Sequence, residues 1–82
     1  MIVNSIGGPV TVRNICHIRM KALSNGRYDL RFWPVEGASL SASMNVMEME
    51  IEVEADEVWR IYGVAQHLLK VPVSELPERS YV

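Results

Sequence analysis

Cys16 and His17 set a thiol beside an imidazole, the two groups a thiolate nucleophile and its base would need. They fall in a stretch of strand-like alternation, where consecutive side chains point to opposite faces, so the two cannot hydrogen-bond each other. The pair therefore reads as a buried structural thiol and a surface histidine. His67 lies on the polar side of a helical pattern, and two histidines with a single cysteine make no zinc spacing. No serine stands in a Gly-x-Ser-x-Gly elbow. Gly7-Gly8-Pro9 leads into a β-like segment, whereas a phosphate loop opens onto a helix N-terminus, so it is expected to be a turn. No catalytic, metal or cofactor constellation is expected from the sequence.

The unusual charge feature is a ladder of carboxylates, Glu48, Glu50, Glu52 and Glu54, at every second position. On a strand these share one face at a spacing of roughly 6.6 Å, too wide for a tight carboxylate dyad but within reach of a hard cation or a basic partner. A basic set runs through an earlier hairpin: Arg13, His17, Arg19, Lys21, Arg27 and Arg31, with Trp33 beside them. Two uses follow. In the first, the ladder meets a basic surface of another protein. In the alternative, Arg13, Arg19, Lys21, Arg27, Arg31 and Trp33 bind a single nucleic-acid strand through cations and a stacking ring. If the acidic strand lies next to the basic hairpin, cross-strand ion pairs account for both sets.

The elements that would position these residues can be read from periodicity. Met47, Met49, Ile51 and Val53 alternate with the ladder, giving a strand with one core face and one wet face. Asp56 offers a helix-start carboxylate, and Val58, Ile61, Tyr62, Ala65, Leu68 and Leu69 follow at the spacing of one helical face. Gly63 in mid-helix suggests close approach to the sheet or a partner, and Pro72 ends the helix. Met1 to Ile6 suggests a short strand, and Val10 to Leu23 a long one with even positions inward and a bulge near Asn14 and Ile15.

Tyr28, Leu30 and Phe32 carry a second strand of that hairpin up to Pro34. A two-residue Asn25-Gly26 turn would put the two apolar sets on opposite faces. A three-residue loop, Ser24-Asn25-Gly26 with Gly26 left-handed, pairs Ala22 with Tyr28, Met20 with Leu30 and Ile18 with Phe32. That register also sets Lys21 across from Asp29 and Arg19 across from Arg31, the latter unfavourable without an anion nearby. Val35 to Ser43 reads as a connecting loop of modest order. Trp59 and Val64 flank the helical stripe and are expected at its half-exposed edge.

Ala65-Gln66-His67-Leu68-Leu69-Lys70-Val71-Pro72-Val73-Ser74-Glu75-Leu76 resembles the closing stretch of phage-repressor helix-turn-helix domains. It lacks the helices that precede that stretch in the family and follows a β-rich half, so no DNA-binding role is transferred.

With 82 residues, 49% hydrophobic and 22% charged, the chain is expected to form one small α+β domain, 1–82, with residues 72–82 an extended tail. The fold expected is a three- or four-stranded antiparallel β-meander with one C-terminal helix packed on its apolar face. A formal net charge of -2 is too small to attract nucleic acid or a membrane at long range. The absence of a signal-like start and the lone cysteine point to a cytoplasmic protein. Small core size and open edges favour a homodimer. The functional expectation is a non-enzymatic, cofactor-free protein–protein interaction module, such as a small regulator or inhibitor from a phage or mobile element. Its contact residues would be Glu48, Glu50, Glu52 and Glu54.

Overall fold

The structure is a computed structural model that describes residues 1–75; the part of the expected tail from 76 onward lies outside the described residues. Strands β1 (Ile2–Ser5) and β2 (Gly8–Thr11) form a small hairpin. Strands β3 (Ile15–Ala22), β4 (Tyr28–Pro34) and β5 (Met49–Val53) form an antiparallel meander, and helix α1 (Ala55–Gly63) follows directly. A π-helical turn, Val64–Leu69, extends α1, and the two-residue strand β6 (Val73–Ser74) returns parallel to β3. The larger sheet has the order β5-β4-β3-β6. The fold is thus α+β, a mostly antiparallel four-stranded sheet under a C-terminal helix, and β6 makes it mixed where a pure meander was expected.

The β3–β4 hairpin takes the register that hydrophobic alternation demands. Ala22, Met20 and Ile18 pair with Tyr28, Leu30 and Phe32. Gly26 sits at φ 82°, a left-handed conformation that costs a non-glycine residue energy, and the loop closes through Leu23 N–H to the Arg27 carbonyl, 2.8 Å. The sheet's inner face then presents Ile18, Met20, Leu30, Phe32, Ile51 and Val53, with Val58, Ile61 and Ala65 in the same buried core. Each large apolar side chain so buried contributes about 1.5–3 kcal/mol.

Where the sequence suggested one strand from Val10 to Leu23, the chain breaks between β2 and β3. Asn14 turns left-handed at φ 57°, and its side-chain amide donates to the Ser39 carbonyl, 2.9 Å. The β3–β4 pairing slips from Ile15↔Pro34 to His17↔Trp33, which makes Cys16 the extra residue of a bulge. Cys16 is therefore exposed, with its Sγ donating to the Pro34 carbonyl at 3.0 Å, and is not the buried thiol expected from strict alternation.

The acidic strand starts later than its alternation suggested. Met44 and Met47 are exposed, and pairing begins at Met49, opposite Phe32. The segment from Val35 to Ser43 is better tied than its small, polar composition indicated. Leu40 is fully buried, its N–H donates to the Val46 carbonyl and its carbonyl accepts from Arg13 N–H. Ser39 Oγ accepts from Val46 N–H at 2.9 Å and donates to the Met44 carbonyl at 2.6 Å.

In α1, the N-cap is Glu54, with no side-chain cap bond; Asp56 lies inside the first turn and accepts from Glu57 N–H, 3.2 Å. A Cβ at Gly63 would meet nothing within 4 Å, so close approach to the sheet does not explain this glycine. The expected apolar stripe ends at Ala65. The i→i+5 bonding of the π-helical turn widens the coil, which turns Leu68 and Leu69 outward, and Val71 takes the next buried position. Trp59 and Val64 are half-buried, as expected, and Trp59 meets Tyr62 edge-on at 5.9 Å.

Glu57 ties α1 to β1. It is 8% exposed, and its carboxylate accepts from Asn4 N–H (2.6 Å) and from Arg60 Nε (2.7 Å), while Arg60 also donates to the Ile2 carbonyl (2.7 Å). The hydrogen bonds from Arg60 hold the Glu57 carboxyl below its ordinary value, helped by the Asn4 amide and opposed by burial. No helix among the described residues is long and apolar enough to cross a membrane.

Candidate functional site

Because alternate residues of a strand share a face, the register that buries Ile18, Met20, Leu30 and Phe32 places His17, Arg19, Lys21, Asp29, Arg31 and Trp33 on the opposite side of the sheet. Strand β5 adds its own outward residues to that side, with Glu50 opposite Arg31 and Glu52 opposite Asp29. All four residues of the ladder meet arginines of the hairpin. Arg31 pairs with Glu48 and, at 3.3 Å, with Glu50. Arg19 pairs with Glu50 at 3.5 Å and with Asp29 at 3.7 Å. Arg27 pairs with Glu52 at 3.2 Å and Glu54 at 3.4 Å. Glu75, just beyond β6, adds a contact to Arg19 at 3.7 Å.

The acidic and basic sets read from the sequence are thus one network. Its sign is still not balanced. Six carboxylates (Asp29, Glu48, Glu50, Glu52, Glu54 and Glu75) share three arginines, with Lys21 standing opposite Asp29. The five glutamates also reach the solvent more than the arginines do, whereas Asp29 does not: Glu50 and Glu54 are 51% and 59% exposed, against 25% for Arg19 and 30% for Arg31. Crowding of like charge is felt within the network. Burial first, and then Glu50, raise the Asp29 carboxyl above its ordinary value, against the pull of Arg19, Lys21 and Arg31.

At one end of this face Trp33 stacks on His17, with ring centroids 5.0 Å apart and planes at 23°, and the Arg31 guanidinium lies 5.1 Å from the Trp33 ring centre. Both rings are half-buried. The residues of the nucleic-acid reading are divided by the fold. Arg19, Arg27 and Arg31 are engaged by carboxylates, Trp33 by His17, and Arg13 lies off the sheet, lining a groove with Met1, Val12, Asn14, Ile15, Leu69 and Val71.

Chemically, this surface is a fixed array of charges with an aromatic end. Among the described residues no group of three or more His, Cys, Asp or Glu side chains is placed to hold a metal ion. Cys16 and His17 belong to a bulge, and the partners found for them are the Pro34 carbonyl and the Trp33 ring. The parts that sequence reasoning missed are the Trp33–His17 stack and Glu75: the bulge expected near Asn14 and Ile15 falls at Cys16, and the return of β6 leaves no periodic signal. Comparison with protein-family models, curated proteins and solved structures finds no match to the chain.

Proposed function

We propose that the chain is a non-enzymatic protein-binding module, a small regulator or inhibitor that meets a basic surface of its partner with the outer face of its four-stranded sheet. The observation that carries this reading is the surplus of carboxylates, whose five glutamates are held in place by arginines that are themselves less exposed. A carboxylate already fixed in an ion pair loses less side-chain freedom when a partner arrives, which lowers the cost of binding. Partner cations at the rim would act chiefly on association rate and selectivity. Trp33 at the end of the face supplies the kind of half-buried aromatic that anchors interfaces. The same surplus opposes a phosphate backbone, which needs free cations to displace its counterions.

Titration separates the two uses. A short lysine- and arginine-rich peptide is expected to bind, with affinity that falls as salt rises, and to lose binding when Glu48 and Glu54 are both changed to Gln. A single-stranded oligonucleotide is expected not to bind. Binding of the oligonucleotide that depends on Arg19, Arg31 and Trp33, with none of the peptide, would contradict the proposal.

A further inference from the structure

The π-helical turn leaves uncovered two leucines that take no part in the charged network. Leu68 is 75% exposed and Leu69 43% exposed. Leu69 and Val71 line, together with Met1, Val12 and Ile15, an apolar groove of about 320 Å³. Its polar lining is Arg13 and Asn14, and the Asn14 side-chain amide is already given to the Ser39 carbonyl. Arg13 is exposed, and of the arginines among the described residues it alone has no carboxylate within ion-pair distance: Arg19, Arg27, Arg31 and Arg60 each have one. Lys70, between Leu69 and Val71, is exposed too, with no ion pair among the described residues and its backbone left-handed at φ 55°. An apolar groove with uncommitted cations around it is the reverse of the acidic sheet face in both polarity and sign.

We propose that this groove receives a segment of a partner protein in which an apolar side chain stands next to a carboxylate. The apolar side chain fills the space between Val12, Ile15, Leu69 and Val71, and the carboxylate pairs with Arg13, whose planar guanidinium suits a two-point contact. Lys70 adds a second positive charge beside the apolar contact. The volume lies at the low end of the range for pockets that take small ligands, which fits one or two side chains and not a whole domain. The groove shares no residue with the ion-paired network, so this inference stands or falls independently of the sheet-face reading.

The test uses the full chain as bait for short random peptides displayed on phage. Enriched peptides are synthesised and titrated by fluorescence anisotropy against the wild type, Arg13→Glu, Arg13→Gln and Leu69→Asp. Arg13 and Leu69 are exposed, so these variants leave the core intact, and circular dichroism checks this. The expected peptides carry an aliphatic or aromatic residue beside Asp or Glu. Arg13→Glu weakens them about ten-fold or more, a change of about 1.4 kcal/mol, Arg13→Gln weakens them less, and Leu69→Asp abolishes binding. The proposal is overturned by no enrichment, by enriched peptides without a carboxylate, or by affinities that ignore Arg13. It is also overturned by a concentration-dependent dimer that Leu69→Asp dissolves, which assigns the groove to a second copy. Binding to phosphatidylcholine–phosphatidylserine vesicles that Leu68→Asp and Leu69→Asp remove assigns the surface to a membrane, and likewise overturns it.

Discussion

Arg19 and Arg31 stand directly opposite one another on β3 and β4, and a single carboxylate oxygen of Glu50 lies 3.5 Å from the first and 3.3 Å from the second. Two like charges in this position repel. The third strand supplies an anion that reaches both arginines, where the hairpin's own Asp29 pairs with Arg19 at 3.7 Å, and the hairpin in turn fixes the ladder. The outer face is therefore an electrostatic unit spanning three strands.

Replacing Glu50 by Ala should expose that repulsion. Because Glu50 is about half exposed, the loss of stability is expected to be only about 0.5–1 kcal/mol. Raising the salt concentration should reduce it, and adding Arg19→Ala should restore part of it. Urea unfolding of the two single variants and the double variant measures the coupling. A loss that is independent of salt would show that Glu50 acts through something other than charge.

Glu57 should give the fold an acid limit. Its carboxyl is held below the ordinary value of 4.5 by Arg60. Its stabilising effect is therefore fully present above the unfolded-state value and is lost as the pH falls through the lower folded-state value. Asp29 is shifted upward, so its ionisation disfavours the folded state near neutrality, and that penalty lifts on acidification. Glu57→Gln should lower stability at pH 7 by about 1–3 kcal/mol, since it removes a charge-assisted partner from Asn4 N–H and Arg60. Its unfolding midpoint should also change less between pH 7 and pH 3 than that of the wild type.

Two glycines should respond in opposite directions to alanine. At Gly26, φ is 82°, so Ala there should destabilise by about 1–2 kcal/mol through backbone strain alone, because a Cβ would meet no atom within 4 Å. At Gly63 the backbone is right-handed helical, φ -62° and ψ -44°, with the same open space around a Cβ. Ala there should stabilise by about 0.5–1 kcal/mol. Thermal denaturation of both variants tests this. Destabilisation by Gly63→Ala would mean that the α-to-π transition needs a glycine.

Leu40 and Leu68 should also exchange the roles that a pattern reading gives them. Leu40, in a loop, is fully buried, so Leu40→Ala should cost about 2–5 kcal/mol. Leu68, on the helical repeat, is exposed, so Leu68→Ser should change stability by less than about 0.5 kcal/mol. Chemical denaturation of the pair decides the matter.

That contrast shows which parts of the fold are legible in the sequence. Strand alternation, combined with the requirement that both strands of a hairpin bury the same face, is enough to obtain the β3–β4 register residue by residue, including Arg19 opposite Arg31. Charge pairing leaves the position of the acidic strand open, and the structure places it beside β4 of that hairpin. The break near Asn14 and Ile15 is legible too, because two residues interrupt the alternation there; what escapes is its consequence, Cys16 turned outward in the bulge, and Leu68 and Leu69 in the π-helical turn. One inserted residue, or one wider turn, rotates all that follows, and neither carries a composition signal. Leu40 escapes because a single apolar side chain in a serine-rich segment has no period at all.

The most direct test of the central claim is affinity capture of the tagged chain from the lysate of its native host. Nuclease-treated and untreated samples are compared with the Glu48→Gln, Glu54→Gln double variant under identical conditions. The account predicts a protein partner with a basic surface that survives nuclease treatment and is lost with the variant. Recovery of nucleic acid alone, or of a protein whose capture is indifferent to those two carboxylates, would contradict it.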